Sequence, residues 1–246
     1  MKKLMILCLL SLKLFADDFV VGTTSGYAPF VSLDAQGKYE GFDVDLANLL
    51  AQKLRKKLIL KDLGSMPSLM LALKQRKIDA LIWAVSITED RLKNIDMVYY
   101  QGNKMVEMPF LFWNKIPEGI TSIADLSKDP KKPICAEAGS FQEDVLKKFS
   151  GIPIKNVDKI TDAIMEIKFG KSLATTVDPS LLPRYLAQYP EIKVLNLPLP
   201  LNSQSFGNGI GINKANSALT SQVKQAIEEL ASEGKIAELE KKWKLR

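Results

Sequence analysis

The stretch that decides the fold reads IDALIWAVSITEDR, from Ile78 to Arg91. Its first half, residues 80–85, is apolar without alternation, which predicts a strand buried on both faces of a sheet. Its second half predicts the start of a helix, because Thr88 is a good N-cap and acidic residues follow it in the first turn. A buried strand that leads directly into a helix is typical of an α/β fold.

The same alternation continues on either side of this stretch. Helix-period patterns separate short apolar runs that are typical of strands, and these runs lie at 19–24, 57–63, 80–85, 99–113, 133–138, 152–157, 173–177, 193–198 and 206–213. Such alternation predicts parallel strands with helices on both faces of the sheet. The pattern starts again after the long run at 99–113, so the chain contains two α/β units.

One strand run and a terminal helix capped by Asn216 remain after the second unit. This strand and this helix belong to the first α/β unit if the second α/β unit is inserted into the first. We therefore predict a two-lobe α/β fold with mixed sheets flanked by helices. Lobe 1 is expected to comprise residues 17–104 and 206–246, and lobe 2 the inserted residues 105–205.

Two crossing segments, near 102–108 and 202–208, are expected to join the lobes. Gly102 and Gly207 lie in these segments and can absorb the backbone rotation that a hinge requires. Ligands of open α/β sheets bind beyond the carboxyl ends of the strands. Two facing lobes would therefore form a cleft, and the candidate ligand-binding residues are those that follow each strand.

The composition excludes several classes of chemistry. The chain has 246 residues, of which 46% are hydrophobic and 25% charged, as in a globular protein. It contains no His, which excludes Ser-His-Asp and Cys-His catalysis and removes the commonest metal ligand. Its two Cys cannot form a Cys-rich zinc site, and we expect no metal and no organic cofactor. Cys135 lies in an apolar run and is expected to be a buried strand residue.

Residues 1–16 form the pattern of a secretory signal peptide. Lys2 and Lys3 precede a short apolar run, and the small residue Ala16 stands at the predicted cleavage site. The alternative is a buried N-terminal helix. Lipid attachment at Cys8 is disfavoured, because the residues before it are large. After cleavage no long basic run remains, so a nucleic-acid partner is not expected.

Two of the turns after strands have groups that suit a carboxylate. Ser86 follows the strand at 80–85, where free N–H groups at a helix start bind anions, and Arg91 lies one turn further on. The alternative is a capped surface helix with a solvated Arg91. Gly139 and Ser140 follow the strand at 133–138 and offer backbone N–H groups and a hydroxyl, although such turns are also ordinary helix starts.

Two further turns suit an ammonium and a side chain. Asp178 precedes Pro179, so it fits a helix N-cap, but its carboxylate can also accept an ammonium. Tyr27 follows the first strand, where an aromatic ring can line an apolar pocket, cover a cation, or simply pack within a loop. Together the four turns offer donors for a carboxylate, an acceptor for an ammonium and an aromatic wall, which match a free α-amino acid.

Five longer pieces strengthen this interpretation: VGTTSGYAPF (21–30), GKYEGFDVDLANLLAQKL (37–54), LALKQRKIDALIWAVSITEDR (71–91), AGSFQE (138–143) and EGKIAELEKKW (233–243). With them the chain resembles the extracytoplasmic solute-binding proteins of polar amino-acid ABC importers, family 3. Its GKS…DPS and AELEKKW segments are similar to those of chlamydial arginine-binding proteins. The resemblance implies the periplasmic binding protein fold, an amino acid as ligand and an ABC permease as partner. Asp43 and Asp45 of EGFDVDL are interpreted as helix-start residues.

The resemblance also implies roles for individual residues. Arg91 would bind the ligand α-carboxylate with Ser86 and the Ser140 turn, Asp178 would bind the α-ammonium, and Tyr27 would cover the side chain. The remaining positions fall where the family lines its side-chain pocket: Thr24, Met66, Trp83, Ala84, Glu137, Phe141 and Gln142.

Several of these positions depart from the family pattern. Family members that bind basic amino acids often have an acid where Thr24 stands, and Glu137 is the candidate replacement. Met66 replaces an aromatic residue. Trp83 replaces a small one, and it either faces the cleft or packs in the core. Arginine is the first candidate ligand, whereas Thr24 favours glutamine or a smaller polar amino acid.

Three functions are compatible with this scaffold. The first is a periplasmic transport receptor, expected to be a monomer and not an enzyme. The second is a sensory ligand-binding module, which would act through a separate partner because no signalling segment is recognised in this sequence. The third is a dehydratase of prephenate-like substrates, since relatives on this scaffold include one. Without His its acid or base would have to be Glu or Lys, and Glu137 is the candidate.

Overall fold

The structure is a computed structural model that describes residues 17–245. The predicted signal peptide, 1–16, and Cys8 lie outside the described residues. The strands are β1 (Asp18–Thr23), β2 (Ser32–Leu33), β3 (Tyr39–Glu40), β4 (Lys57–Asp62), β5 (Ala80–Leu81), β6 (Ile95–Met105), β7 (Glu107–Trp113), β8 (Ile134–Glu137), β9 (Ile154–Val157), β10 (Ala174–Thr176), β11 (Ile192–Pro198) and β12 (Ser205–Asn213). The α-helices are α1 (Phe42–Lys53), α2 (Met66–Lys74), α3 (Glu89–Asn94), α4 (Phe141–Leu146), α5 (Ile160–Lys168), α6 (Leu182–Gln188), α7 (Ser217–Ser232) and α8 (Lys235–Lys242).

Two five-stranded sheets form the centres of two lobes, which confirms the predicted two-lobe α/β fold. The strand order is β4-β1-β5-β12-β6 in the first lobe and β11-β7-β10-β8-β9 in the second. Both sheets are mixed: β4, β1 and β5 run parallel while β12 runs antiparallel to β5, and β9, β8 and β10 run parallel while β7 runs antiparallel to β10. The parallel strands therefore bring their carboxyl ends, and the turns that follow, to one edge of each sheet.

Each lobe has its own apolar core. In the first lobe, fully buried Phe19 of β1 packs in one cluster with Leu46 of α1 and Leu69 of α2. In the second, fully buried Phe110 of β7 packs in another cluster with residues of α4. Burial of this kind stabilises each lobe by removing apolar surface from water. A further cluster in the second lobe contains Leu111 of β7 and Ile164 of α5, and these cores support the turns between strand and helix.

The lobes are connected by strands that run side by side. β6 leads from the first sheet towards β7 of the second, and β12 leads back beside β6. Gly102 and Gly207 lie in β6 and β12 with φ angles of +88° each. A Cβ on Gly207 would lie 3.0 Å from the carbonyl oxygen of Gly102, so the two crossing strands approach closely there. The residue boundaries of the lobes given above remain a prediction.

Two local predictions were wrong. The apolar run 80–85 forms a strand only over Ala80–Leu81, because the chain turns at Ala84, which has a φ angle of +44°. The run is nevertheless buried throughout. The terminal helical pattern is two helices rather than one, since Gly234 has a φ angle of +74° and separates α7 from α8. Across residues 17–245, no helix has the length and apolar content needed to cross a bilayer.

Candidate ligand-binding site

The carboxyl ends of the strands meet at a cavity between the lobes, here called the inner cavity. Its volume is about 340 Å³, including the part of the cavity that is open to solvent. The first lobe contributes Tyr27, Met66, Trp83, Ala84, Val85, Ser86 and Arg91, and the second contributes Glu137, Ser140, Phe141, Gln142 and Asp178. The structure thus brings together all the residues expected at the site except Thr24, and adds Val85. Their roles in binding remain a prediction.

Arg91 supplies the positive charge of the inner cavity. The residue is 8% exposed, and its Nη1 donates to the backbone oxygen of Ser86 at 2.9 Å. Nη2 donates to the backbone oxygen of Gly139 in the second lobe at 3.0 Å and lies 3.7 Å from the Asp144 carboxylate. Burial lowers the pKa of Arg91 from its ordinary value, and Asp144 opposes this shift. A guanidinium stays charged in proteins, so the cavity holds a fixed cation.

The loop that carries Trp83 to Ser86 is held by Asp43, whose role the sequence analysis missed. One oxygen of the Asp43 carboxylate accepts a hydrogen bond from the Ala84 N–H at 2.6 Å, and the other accepts one from the Tyr100 hydroxyl at 2.8 Å. Asp43 was interpreted as a helix-start residue, yet its side chain is buried beneath the site. Burial raises its pKa to about 7, although both hydrogen bonds favour the ionised form.

The turn after β8 approaches the first lobe closely. Gly139 has a φ angle of +73°, and a Cβ there would lie 2.9 Å from Cδ of Pro67 and 3.0 Å from Cβ of Met66. Glycine is therefore required by both the backbone conformation and the space. Ser140 caps α4 by accepting from the Glu143 N–H at 3.1 Å. This turn forms the wall of the inner cavity opposite α2.

Asp178 both caps a turn and lines the inner cavity. Its Oδ1 accepts hydrogen bonds from the N–H of Ser180, at 2.8 Å, and from the Ser180 hydroxyl. This is the N-cap geometry expected of an Asp that precedes Pro179, here at the start of a 3-10 turn. Burial raises its pKa above the ordinary value for an aspartate. Its second carboxylate oxygen accepts no hydrogen bond from residues 17–245, so it can receive a donor from a ligand.

Aromatic side chains form the third wall of the inner cavity. The rings of Tyr27 and Trp83 lie 5.4 Å apart between centroids, and Phe141 is nearly fully buried on the other side of the cavity. Trp83 lines the cavity and also belongs to the apolar core cluster of the first lobe, so it packs in the core and contacts the cavity. Its indole Nε1–H has no hydrogen-bond acceptor among the described residues.

Thr24 lines an adjacent cavity, here called the outer cavity, whose volume is about 760 Å³ including the part that is open to solvent. Its hydroxyl donates to its neighbour's backbone oxygen at 2.9 Å and not into the inner cavity. Tyr27, Trp83 and Glu137 line both cavities and form their common wall. Burial, and secondarily the charge of Asp158, raise the pKa of Glu137 to about 7.

No group of metal-ligating side chains is found in the part of the chain that the structure describes. Cys135 is buried in β8 as expected, and its thiol donates to the Ser172 hydroxyl at 3.1 Å. The residues that line the inner cavity offer charges, hydrogen-bond donors and aromatic faces. Such a set binds a small polar molecule through complementary charges.

Two α/β lobes joined by adjacent strands, with a charged cavity between them, define a solute-binding protein of the periplasmic type. The profile of the bacterial extracellular solute-binding proteins, family 3, matches residues 19–246. The chain belongs to this family, which confirms the resemblance seen in its sequence.

Individual relatives support the same membership. A probable ABC transporter arginine-binding protein of Chlamydia trachomatis serovar D is 34% identical over 94% of this chain and 87% of its own length. An arginine-binding extracellular protein of Bacillus subtilis is 28% identical over 91% of this chain and 85% of its own. A solved ancestral arginine-binding protein bound to arginine superposes with a TM-score of 0.77, at 28% identity, covering 93% of this chain and 99% of the other.

Proposed function

We propose that this protein is an extracytoplasmic receptor that binds a free L-α-amino acid between its lobes and delivers it to an ABC permease. The observation that carries the proposal is the placement of Arg91 and Asp178 on opposite walls of one cavity. Arg91 is buried and Asp178 is partly buried, and the two are opposite in charge and supplied by different lobes. A zwitterion presents the complementary charges to both at once.

The roles of the site residues follow from their chemistry. The Arg91 guanidinium binds the α-carboxylate, helped by Ser86 and by the N–H groups of the Ser140 turn at the start of α4. The open oxygen of Asp178 binds the α-ammonium, and Tyr27 covers the ligand side chain. The ligand touches both lobes and therefore favours the arrangement in which they are close.

For the ligand side chain we propose a cation, with arginine first. Glu137 supplies a carboxylate on the common wall, and the rings of Tyr27, Trp83 and Phe141 offer planar faces on which a guanidinium can stack. The relatives in Chlamydia trachomatis and Bacillus subtilis bear the name of arginine-binding proteins, which supports the same choice.

Glutamine is the second candidate, and a specific observation favours it. The unpaired Nε1–H of Trp83 requires an acceptor, which an amide oxygen provides and a guanidinium does not. Thr24 also leaves the first lobe without the acid that a cation would use. A solved ancestral arginine-binding protein bound to glutamine, 30% identical to this chain, superposes with a TM-score of 0.76 over 92% of this chain and 97% of the other.

A thermal-shift screen tests the function directly. The mature protein is heated with each of the twenty amino acids, ornithine and citrulline. A ligand present at a hundred times its Kd adds about 2.7 kcal/mol to the free energy of unfolding, which gives a clear rise in Tm. We expect arginine to give the largest shift. If no amino acid raises Tm, the receptor function is wrong.

The receptor is proposed to act as a periplasmic monomer, without enzymatic activity and without a cofactor. The competing dehydratase function would need an acid or base, for which Glu137 is the candidate. Incubation with prephenate or arogenate, with absorbance of an aromatic product as the readout, decides between them. A sensory role would instead require a separate signalling partner, which pull-down with the ligand-loaded protein would detect.

A further inference from the structure

The EGFDVDL segment (40–46) contains two acids that have different neighbours in the first lobe. Asp45 is half-buried, and its Oδ2 accepts hydrogen bonds from the Lys242 ammonium and from the Trp243 indole N–H, at 2.7 Å each. Asp45 thereby holds the end of α8. Asp43, by contrast, is 2% exposed and lies beneath the inner cavity. The carboxylate of Asp43 is therefore the one that can affect ligand binding.

The position of the Asp43 carboxylate is fixed by its own surroundings. The backbone N–H of Asp43 donates to the backbone oxygen of Phe30 at 3.0 Å, at the start of α1. Its Oδ1 accepts from the hydroxyl of Tyr100, whose ring stacks on that of Phe42 with the centroids 5.9 Å apart. Tyr100 belongs to β6, one of the two crossing strands. Helix and strand thus orient the carboxylate, and its second oxygen is directed at residues 83–86, here called the binding loop.

Two hydrogen bonds connect Asp43 to the charged group of the inner cavity. Its Oδ2 accepts from the N–H of Ala84 at 2.6 Å, and Ala84 has a left-handed φ angle of +44°. A residue other than glycine keeps such a conformation where its surroundings hold it. Two residues further on, the backbone oxygen of Ser86 accepts from Nη1 of Arg91 at 2.9 Å. The carbonyl that orients the guanidinium therefore follows a turn that Asp43 holds.

The other part of the binding loop is held independently of Asp43. The N–H of Gly209, in the crossing strand β12, donates to the backbone oxygen of Val85 at 2.8 Å. This contact is between backbone groups, so a substitution at Asp43 leaves it in place. The N–H of Ala84 is buried, and a buried donor that loses its acceptor costs free energy. Loss of the Asp43 carboxylate should therefore rearrange the turn at Ala84 without unfolding the lobe.

We propose that Asp43 is a positioning residue for amino-acid binding, because it holds the turn at Ala84 and thereby places the Arg91 guanidinium for the ligand α-carboxylate. This inference rests on the amino-acid-binding function proposed above. Asp43 does not line the inner cavity, so it acts through the binding loop and not on the ligand. The α-carboxylate is common to all α-amino acids, and the loss of Asp43 should therefore weaken different ligands by a similar factor.

Calorimetric titrations with arginine and with glutamine test this role, at a pH above the pKa of about 7 that burial gives Asp43. Asp43→Ala should weaken the binding of both ligands by about tenfold or more, because the turn loses a buried charge-assisted hydrogen bond. Asp43→Asn should bring both affinities back to within about threefold of wild type, since the amide oxygen can accept from the Ala84 N–H and the amide nitrogen can donate to the Tyr100 hydroxyl. Rescue by the amide distinguishes a held turn from a need for charge.

Asp45→Ala is the matched control, because it removes an acid with a structural contact from the same segment. It should lower Tm through the loss of the contacts with Lys242 and Trp243, and leave both affinities within about twofold of wild type. Tyr100→Phe is a milder variant that removes one hydroxyl and keeps the stacked ring. It should weaken both ligands by about threefold, and it carries the test if Asp43→Ala does not fold.

Four outcomes would contradict the proposal. Wild-type affinity of Asp43→Ala or, where that variant does not fold, of Tyr100→Phe overturns the inference and leaves the receptor function intact. Binding by Asp43→Asn that is as weak as that by Asp43→Ala overturns it too, because binding would then require the charge and not the held turn. An equal loss of affinity in Asp45→Ala would show a general loss of stability. If wild type binds no amino acid in the thermal-shift screen, the receptor function fails and the inference falls with it.

Discussion

The two lobes hold their shares of the inner cavity in different ways. In the first lobe the site is fixed mainly by buried hydrogen bonds from inside the lobe, and Arg91 adds one bond across to the backbone oxygen of Gly139. The Asp43 carboxylate accepts a hydrogen bond from the Ala84 N–H, which fixes the loop that carries Trp83 to Ser86. The Arg91 guanidinium donates to the backbone oxygen of Ser86, which fixes the position of its charge. Buried charge-assisted bonds of this kind are strong and rigid.

In the second lobe the site is made of the starts of short helical turns. Ser140 and Asp178 cap these turns with one side-chain oxygen each. The Asp178 carboxylate keeps an oxygen free, and the Glu137 carboxylate forms no hydrogen bond or ion pair within residues 17–245. The second lobe thus presents acceptors that are positioned but unsatisfied.

This contrast teaches why the ligand has to be bound from both sides. The fixed cation lies on one lobe and the unsatisfied carboxylates on the other, so neither lobe alone is complementary to a zwitterion. A ligand shifts the balance between open and closed lobes only through contacts that differ between the two states. The predictions below test the two lobes in turn.

The largest effect is expected from the first lobe. Arg91→Ala should weaken amino-acid binding by at least about 2 kcal/mol, because the ligand carboxylate would lose its buried cationic partner. The free energy of unfolding should change much less than in a core truncation, since Arg91 belongs to no apolar cluster. Calorimetric titration and thermal melting measure both. Lys93→Ala, which removes an exposed cation from the same helix α3, serves as control, and near-native affinity of Arg91→Ala would show that the site assignment is wrong.

The corresponding change in the second lobe is Asp178→Asn. Asparagine caps as well as aspartate does, so Tm without ligand should stay close to that of wild type. The affinity should nevertheless fall by about tenfold or more, because the ammonium loses its charged partner. If both quantities stay unchanged, Asp178 is only a cap, and the contrast drawn between the lobes does not hold.

How far the sequence predicts this contrast depends on the lobe. The sequence predicts a role for Asp178 because an Asp that follows a strand and precedes a Pro is a local pattern. That pattern indicates both a helix cap and a possible ligand anchor. Arg91 was recognised through the helix start at Thr88. Asp43 was missed because its partner Ala84 lies 41 residues away, and no local pattern signals a pairing at that distance.

The outer cavity was also beyond the reach of sequence reasoning. Asp158 follows a weak strand in the second lobe and carries no motif, whereas Thr24 follows the first strand in the first lobe. Their common cavity arises only when the lobes face each other. By contrast, the order of strands and helices was predictable, since it depends on local periodicity and caps. The early end of β5 was not, because the turn at Ala84 is fixed by the distant Asp43.

The next prediction concerns the acid on the common wall. Glu137→Gln should weaken arginine binding several-fold and leave glutamine binding nearly unchanged, because only the cation needs the charge. Since the pKa of Glu137 is raised to about 7 by burial and by Asp158, arginine affinity of wild type should also fall as the pH is lowered through 7. Titrations at several pH values, with Glu137→Gln as control, measure this. A wild type that binds neutral amino acids more tightly than arginine contradicts the cationic ligand.

The free energy of unfolding without ligand should decrease as the pH rises, whereas arginine affinity should increase. Asp43 and Glu137 both have pKa values raised to about 7 in the folded protein, above those of the unfolded chain. The folded state therefore binds more protons, so the free energy of unfolding should fall as pH rises from about 4 to about 7. Denaturant unfolding at several pH values measures this slope. Asp43→Asn should flatten it, and an unchanged slope in that variant would show that Asp43 is not the source.

The smallest effect is expected from the exposed contact between the lobes. The Lys148 ammonium lies 3.4 Å from the Asp90 carboxylate of α3, and both side chains are largely solvated. Such pairs contribute about 0.2–1 kcal/mol, so Lys148→Gln should weaken ligand binding by at most about fivefold and less at high salt. The free energy of unfolding should change little, because within the second lobe the Lys148 ammonium donates only to the backbone oxygen of Asn202, in an exposed hydrogen bond of 3.2 Å. Lys155→Gln is the control, because the partner of Lys155, Glu166, lies in the same lobe.

Closure of the lobes can be measured by small-angle scattering. The radius of gyration of wild type should decrease when ligand is added, and that of Lys148→Gln should decrease less at the same ligand concentration. If the radius of gyration of wild type does not decrease, the lobes do not close on the ligand. The contrast between the fixed cation of the first lobe and the free carboxylate oxygens of the second would then have no consequence for binding.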